Sequence, residues 1–185
     1  MNNKQLLQQY VDTGIELPEY QIKSLPSDLL KSYIRKRLIA AEGGGGYLSD
    51  YEFKLLTPDQ RFQYAIKSLE NGYIILNKQF ELLTPDQRFQ YAMKLEEKGL
   101  PISDERFKSL TPDQRFQYVI KRIELGGGIS DEKFESLTPD QQFQYAMYRV
   151  EKGHFISDEK FKLLTSDQQK IFKDKGGKIY YLNNE

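Results

Sequence analysis

The stretch TPDQRFQY decides the fold of this chain, because it returns at a fixed interval. It occurs at Thr57–Tyr64, Thr84–Tyr91 and Thr111–Tyr118, and again as TPDQQFQY at Thr138–Tyr145. A degraded copy, TSDQQKIF, begins at Thr165, so successive starts at 57, 84, 111, 138 and 165 differ by 27. A constant period of this length is the signature of a repeat array, in which every unit is one small supersecondary motif.

The second part of each unit predicts a long helix of about 15 residues. Thr57 is a typical N-cap, Pro58 is preset for the first helical position, and Gln60 completes a capping box. Apolar residues follow at the spacing of one helix face: Phe62, Ala65, Ile66 and Leu69. Glycines that suit left-handed C-caps end the long helices: Gly72, Gly99, Gly126 and Gly153.

The first part of each unit predicts a short helix of about 8 residues. A serine followed by Asp-Glu provides an N-cap and negative charge at the positive end of the helix dipole. These serines are Ser103, Ser130 and Ser157. Ile102 precedes one such cap and Phe107 follows at the fourth helical position, which is the pattern of a hydrophobic staple. One copy has Leu-Asn instead of Ser-Asp, so its short helix is expected to begin at Asn77.

We therefore predict an all-α fold: an α-solenoid of six tandem 27-residue repeats, each a short and a long helix, preceded by a half repeat. Residues 1–14 form the N-terminal half repeat or cap, and 15–46 form a divergent first repeat that ends in a four-glycine hinge, Gly43–Gly46. Residues 47–176 form five regular repeats, and 177–185 form a tail that either folds back or frays. The last repeat is a polar cap, with polar residues at core positions: Lys170, Lys173 and Asp174.

The composition of the chain argues against several classes of function. The chain carries 27 basic and 27 acidic side chains, so its net charge of zero argues against binding by bulk electrostatics. It has no cysteine and a single histidine, His154, expected in an exposed loop, so thiolate chemistry and histidine metal clusters are excluded. No signal peptide or membrane-spanning stretch is found, and we expect an intracellular, cytoplasmic protein that contacts no membrane.

Nothing in the repeats predicts a reaction centre. The acidic residues recur in the same context in every unit, which indicates helix capping and dipole compensation rather than acid–base chemistry. The glycine runs Gly43–Gly46 and Gly126–Gly128 are not followed by Lys-Ser/Thr, so the phosphate-loop pattern is not met. We expect no enzyme activity, no catalytic residue, no metal and no cofactor.

The opening Leu-Thr-Pro-Asp-Gln of a unit, as at Leu110–Gln114, resembles that of the TAL-effector repeat. The resemblance covers five residues of each unit and implies a helical array that reads DNA. After those five residues the chain departs from the TAL pattern: no base-reading pair followed by Gly-Gly-Lys occurs inside the unit, and the period is shorter. The shared residues are those that cap a helix.

A second row of side chains lies off the apolar stripe, at the spacing i, i+4, i+7. We predict that stacking aligns it into a ladder that binds a protein partner, since tyrosine is enriched at binding hot spots. The ladder consists of Gln60, Tyr64, Lys67, Gln87, Tyr91, Lys94, Gln114, Tyr118, Lys121, Gln141, Tyr145 and Tyr148. The alternative is that each tyrosine packs against the next layer with its hydroxyl satisfied locally.

Other functions stay open. A row of Arg61, Arg88 and Arg115, together with the lysines of the long helices, favours nucleic-acid binding as the second hypothesis. The densest basic run, Lys31 with Arg35 to Arg37, lies in the divergent first repeat. A third hypothesis is a structural or assembly component, such as part of a phage or viral particle, or an inhibitor of a host factor. The N-terminal half repeat also offers a face for self-association, with the residues Leu6, Leu7 and Val11.

Overall fold

A computed structural model of the chain describes residues 3–43 and 47–181. These residues form thirteen helices and two short strands, and the expected all-α helical-repeat fold is confirmed. The elements in chain order are α1 Asn3–Thr13, α2 Glu19–Ser24, α3 Ser27–Glu42, α4 Asp50–Leu55, α5 Pro58–Glu70, α6 Asn77–Glu81, α7 Pro85–Glu97, α8 Asp104–Lys108, α9 Pro112–Glu124, α10 Asp131–Glu135, α11 Pro139–Glu151, β1 Phe155–Ser157, α12 Asp158–Lys162, α13 Ser166–Asp174 and β2 Lys178–Tyr180.

The chain divides into two compact units, with the boundary between Gln87 and Arg88. In the first unit α1 packs on α3 and α3 on α5, while α4 packs on α6. In the second unit α9, α11 and α13 pack in succession, and so do α8, α10 and α12. Within each unit the long helices thus form one layer and the short helices another, as neighbouring repeats bury each other's apolar faces.

The caps expected for the long helices are present. At the start of α5 the Thr57 hydroxyl accepts a hydrogen bond from the Gln60 amide, and the Gln60 side chain accepts one from the Thr57 amide at 3.0 Å. The same reciprocal pair begins α7, α9, α11 and α13. Gly72 has a φ of +87°, and the next amide, of Tyr73, donates to the Ser68 carbonyl at 2.8 Å. The other predicted C-cap glycines also have positive φ: Gly99, Gly126 and Gly153.

The short helices are shorter than expected, at 5 or 6 residues, and the regular long helices have 13. The chain leaves the short helix early because the next N-cap must be extended, as at Thr57 with φ −66° and ψ 159°. The helix α6 begins at Asn77, as expected, and this places Leu76 at its N-cap.

The core face of the long helices differs from the predicted stripe. Ala65 and Leu69 are buried as expected, but Phe62 and Ile66 are only half-buried. Tyr64 takes their place in the core, where its ring meets the Phe53 ring edge-on at a centroid distance of 5.8 Å. The buried face of the long helix therefore includes the tyrosine, because the tyrosine ring packs on the short helix.

The C-terminal tail folds back, which is one of its two expected outcomes. Strand β2 pairs in parallel with β1, with Ile179 opposite Ile156. This two-stranded pairing was not expected from the sequence, since three residues are too few for a period-two pattern. Residues 182–185 lie outside the described part of the chain.

Two further expectations fall wholly or partly outside the described residues. Of the expected glycine hinge, Gly43 closes α3, and residues 44–46 are not described. In the N-terminal half repeat, Val11 is fully buried in a cluster with Leu17 and Ile22, so it offers no free face for self-association. The side chains of Leu6 and Leu7 are not among those that the structure describes.

Candidate functional site

The tyrosines of the expected ladder lie inside the core, which corrects the prediction that they face a partner. None is more than 3% exposed: Tyr64, Tyr91, Tyr118 and Tyr145. The physical reason is that tyrosine can bury its ring when its hydroxyl finds a partner. In the second unit the Tyr118 ring packs edge-on against Phe107 at 5.7 Å, and Tyr145 packs in the same way against Phe134 at 5.3 Å.

The tyrosine hydroxyls hold the loop that precedes each short helix. Tyr64 accepts a hydrogen bond from the Leu48 amide at 3.1 Å, and Tyr118 accepts one from the Ile102 amide at 3.2 Å. These amides belong to the residue just before the N-cap and have no partner within a helix. The local-packing alternative for the tyrosines therefore holds at these positions.

The glutamines of the ladder also have structural roles. Gln60, Gln87, Gln114 and Gln141 form the capping boxes of their own helices. Two of them also reach the preceding long helix: Gln87 donates to the Pro58 carbonyl at 3.3 Å, and Gln141 donates to the Pro112 carbonyl at 3.4 Å. Their amides thus bridge neighbouring repeats within each unit.

The lysines of the ladder stay near the surface. Lys67 and Lys94 each lie 3.2 Å from a glutamate three residues later, and Lys121 lies 4.0 Å from Glu124. Exposed pairs of this kind contribute little stability. Tyr148 is half-buried, with its hydroxyl 3.5 Å from Glu124. A role of these four residues in binding stays a prediction.

The arginines proposed for nucleic-acid binding donate hydrogen bonds to backbone carbonyls. Arg61 donates to the Phe53 carbonyl at 3.1 Å, to Lys54 at 2.7 Å and to Leu82 at 3.2 Å. Arg115 repeats this arrangement with the carbonyls of Leu110, Lys108 and Ser136. Each guanidinium thus ties the ends of two successive short helices, whose last carbonyls lack helical partners.

This corrects the expectation of a row of arginines directed at phosphates. The fork of donors on each guanidinium is used within the protein. In the last two repeats glutamine stands at the same position, and Gln142 donates to the carbonyls of Phe134 and Leu137 at 3.1 and 3.3 Å. The shorter glutamine thus bonds only to its own repeat, whereas each arginine also reaches the next short helix.

Two buried carboxylates break the uniformity of the repeats. In the first unit Glu52 accepts hydrogen bonds from Tyr33 at 2.6 Å and from Arg37 at 2.7 Å. Burial alone would raise the pKa of Glu52, but the hydrogen bonds from Arg37, Tyr33 and Ser49 lower it below its ordinary value. Arg37 belongs to the basic run noted in the sequence, and it points inward.

The second unit contains a similar triad, in which Tyr118 and Arg122 are the equivalents of Tyr33 and Arg37, but the carboxylate comes from the long helix α7. Glu96, only 1% exposed, accepts a hydrogen bond from Tyr118 at 2.5 Å and one from Arg122 at 2.7 Å. Burial, and next the hydrogen bond to Glu96, raise the pKa of Tyr118 above its ordinary value. The hydroxyl therefore stays protonated at neutral pH and donates to Glu96, and the hydroxyl, the carboxylate and the guanidinium all have hydrogen-bond partners.

The best candidate binding site is a cluster of exposed apolar side chains in the first unit, which we call the loop patch. Tyr47 is 61% exposed, Tyr73 42%, Ile74 47% and Leu76 61%. The two tyrosine rings meet edge-on at 5.1 Å. Together they surround a pocket of about 260 Å³. Contiguous exposed apolar surface of this kind typically marks an interaction site.

The second unit has a counterpart pocket of about 210 Å³, and the pocket of the loop patch differs from it because this repeat departs from the others at three positions. Ser68 stands where the equivalent residues are Arg37, Leu95, Arg122 and Arg149. Leu76 replaces the serine N-cap, and Gln79 replaces the basic residue at Arg106, Lys133 and Lys160. Arg122 and Lys133 line the counterpart pocket, and Arg122 donates to the Gly128 carbonyl at 3.0 Å. With Ser68 and Gln79 at these two positions, the pocket of the loop patch has no charged group in its lining. All three departures are visible in the sequence, but their convergence on one pocket is not.

The pocket combines an apolar rim with hydroxyl groups. Tyr64 and Ser68 line it, and both are nearly buried. The Gln79 amide is already used, since it donates to the Leu48 carbonyl at 3.0 Å. Its volume exceeds the roughly 150 Å³ of a cavity that binds benzene, so one large apolar side chain fits. A few polar groups in an apolar pocket are the usual features of a binding site.

Within the described ranges no helix is long and apolar enough to cross a membrane, and no group of His, Asp and Glu residues could hold a metal ion. His154 is half-buried rather than exposed. Comparisons with models of protein families, with curated proteins and with solved structures found no match to this chain.

Proposed function

We propose that this protein is a non-enzymatic helical-repeat module that binds a protein partner, and that the loop patch is its main contact. The observation that carries the proposal is the cluster of Tyr47, Tyr73, Ile74 and Leu76 around an open pocket. Large aromatic and aliphatic residues around a central pocket are the usual composition of a binding hot spot. The partner inserts one large apolar side chain into the pocket beside the two tyrosine rings.

The N-cap of α6 supports this proposal. Leucine is among the poorest N-cap residues, and replacing a serine cap costs about 1 kcal/mol of stability. Leu76 makes no side-chain cap hydrogen bond, and it exposes 61% of its surface instead. A residue that breaks a local rule without a gain in folding typically lies at a functional site.

The apolar lining of the pocket can be removed by returning the repeat to the pattern of the second unit. In the variant Ser68→Arg, the guanidinium lines the pocket and makes it charged, as Arg122 does in the counterpart. In Leu76→Ser, the cap is restored, so we expect thermal stability to rise by roughly 2–4 °C for about 1 kcal/mol. The same change removes an apolar contact worth about 1–2 kcal/mol, so partner binding should weaken close to tenfold.

The experiment is site-specific photo-crosslinking in an extract of the cells that make the protein. A crosslinking amino acid replaces Ile74 in the patch, and in the control it replaces Leu125, which is similarly exposed at 52%. We expect one protein adduct from position 74, absent from position 125 and lost when Ser68→Arg is added. An adduct of equal strength from position 125, or one that survives Ser68→Arg with the helical content intact, would refute the proposal.

A further inference from the structure

A second surface of the first unit has a different chemistry. An open groove of about 770 Å³ runs along α3. Its apolar wall comes from Leu30, Ile34, Leu38 and Ile39, and Ile39 is 58% exposed. Lys31 and Arg35 line the same groove, one helical turn apart. Over four residues an α-helix rises about 6 Å, so the two cations stand close together on one side.

The pair of cations is specific to this repeat. Lys31 and Arg35 occupy the positions that carry Phe62 and Ile66 in the next repeat. The next three repeats have phenylalanine followed by isoleucine or methionine there, and the last repeat has a cation followed by an acid: Phe89 and Met93, Phe116 and Ile120, Phe143 and Met147, Lys170 and Asp174. The first repeat therefore combines an apolar wall with two positive charges where its neighbours are apolar.

Among the described residues, no carboxylate pairs with these charges. No Asp or Glu lines the groove, although Asp28 lies one turn earlier on α3. Within the described part of the chain neither Lys31 nor Arg35 forms an ion pair, in contrast to Arg37 on the same helix. Two unpaired cations beside apolar residues complement a ligand that is apolar on one side and anionic at its edge.

We infer that the groove along α3 binds an acidic amphipathic helix of a partner protein. The wall offers leucine and isoleucine at helical spacing, which matches the apolar face of a helix laid into a groove. Glutamates one turn apart on that helix meet Lys31 and Arg35. The groove volume lies within the range of about 300–1,000 Å³ typical of ligand sites. Because the exposed wall has no aromatic ring, base stacking has no platform, and nucleic acid is disfavoured.

This inference rests on the binding-module function and names the chemistry of one partner segment, at a surface separate from the loop patch. Its test needs no identified partner. The probe is a fluorescent, end-capped peptide of about 15 residues, close in length to the 16 residues of α3, with leucines at i, i+3, i+4 and i+7 and glutamates beside them. Binding to the full chain is measured by fluorescence anisotropy.

We expect the acidic peptide to bind, and the double variant Lys31→Glu with Arg35→Glu to weaken it by roughly tenfold or more. A second peptide, with lysine in place of each glutamate, should bind the double variant better than the wild type. The matched control reverses the charge of Lys98 and Lys175, which are exposed cations just after the long helices α7 and α13, and should leave affinity unchanged. Affinity for the acidic peptide should also fall with added salt.

The apolar wall is tested separately by Ile39→Ser, with Leu125→Ser as the control of similar exposure. Only Ile39→Ser should lower the affinity for the acidic peptide. Affinity that is unchanged in the double variant, or reduced equally by the control lysines, overturns the inference. Preferential binding of phosphatidylserine vesicles or of a single-stranded oligonucleotide over the peptide, with the same dependence on Lys31 and Arg35, also overturns it. The loop-patch proposal is tested by the crosslink at position 74, and the groove is tested by peptide binding. Failure of one test therefore does not imply failure of the other.

Discussion

Removing the hydroxyl of Tyr118 tests how strongly the buried triad holds the second unit. In Tyr118→Phe the ring still packs on Phe107, but two hydrogen bonds disappear. The lost bonds are the 2.5 Å donation to Glu96 and the 3.2 Å acceptance from the Ile102 amide. A hydrogen bond to a charged group contributes about 1.5–3 kcal/mol, and a buried donor left without a partner costs about 1–3 kcal/mol. We therefore expect the free energy of unfolding to fall by about 3 kcal/mol.

The matched control is Tyr64→Phe. The Tyr64 ring packs in the same way, but its hydroxyl accepts only the Leu48 amide at 3.1 Å and meets no carboxylate. The expected loss is about 1 kcal/mol, since the open pocket lets water replace the hydroxyl. The difference of about 2 kcal/mol between the two variants isolates the contribution of the buried charge.

A double-mutant cycle checks the cause. Glu96 stands where the next repeat has Ile123, so Glu96→Ile installs a residue that this position already accepts. Replacing both partners of a buried polar pair by apolar groups costs less than the sum of the single changes. Urea unfolding followed by circular dichroism gives the free energies, and hydrogen exchange at the Ile102 amide reports the local effect. Equal losses in Tyr118→Phe and Tyr64→Phe, or strict additivity with Glu96→Ile, would refute the reasoning.

Two further predictions concern the first triad and the arginine ties. Because the pKa of Glu52 is lower in the folded chain than in the unfolded chain, its contribution to stability is present at neutral pH and is lost as the pH falls through the folded pKa. The difference between the urea midpoints of the wild type and Glu52→Gln should accordingly decrease below about pH 4. A difference that stays constant down to pH 3 would contradict this prediction. Arg115→Ala leaves three carbonyls without their donor and should cost about 2–3 kcal/mol in urea unfolding. Arg115→Gln should lose about half as much, because a glutamine reaches only its own short helix, as Gln142 does; a loss equal to that of alanine would count against this explanation.

The sequence alone determined the repeat, its period and the ends of its long helices. These features depend on neighbouring residues: a Thr–Gln capping box closes on itself within four positions, and a C-cap glycine is required wherever φ is positive, as at Gly72. Local chemistry of this kind needs no tertiary contact. The departure at Leu76 was also visible, as a serine cap that is missing from an otherwise regular copy.

Tertiary structure alone decided which polar groups are buried and which are exposed. Tyr118 finds its partners, and Arg115 one of its partners, 16 to 22 residues away in the sequence. Spacing along one helix cannot tell whether a phenol faces solvent or a loop amide of the same repeat, because both satisfy its hydroxyl. The pocket beside Leu76 likewise depends on residues from a loop, a long helix and the following short helix. Only the packing of repeats brings them together, since each repeat completes its core and its hydrogen bonds with its neighbour.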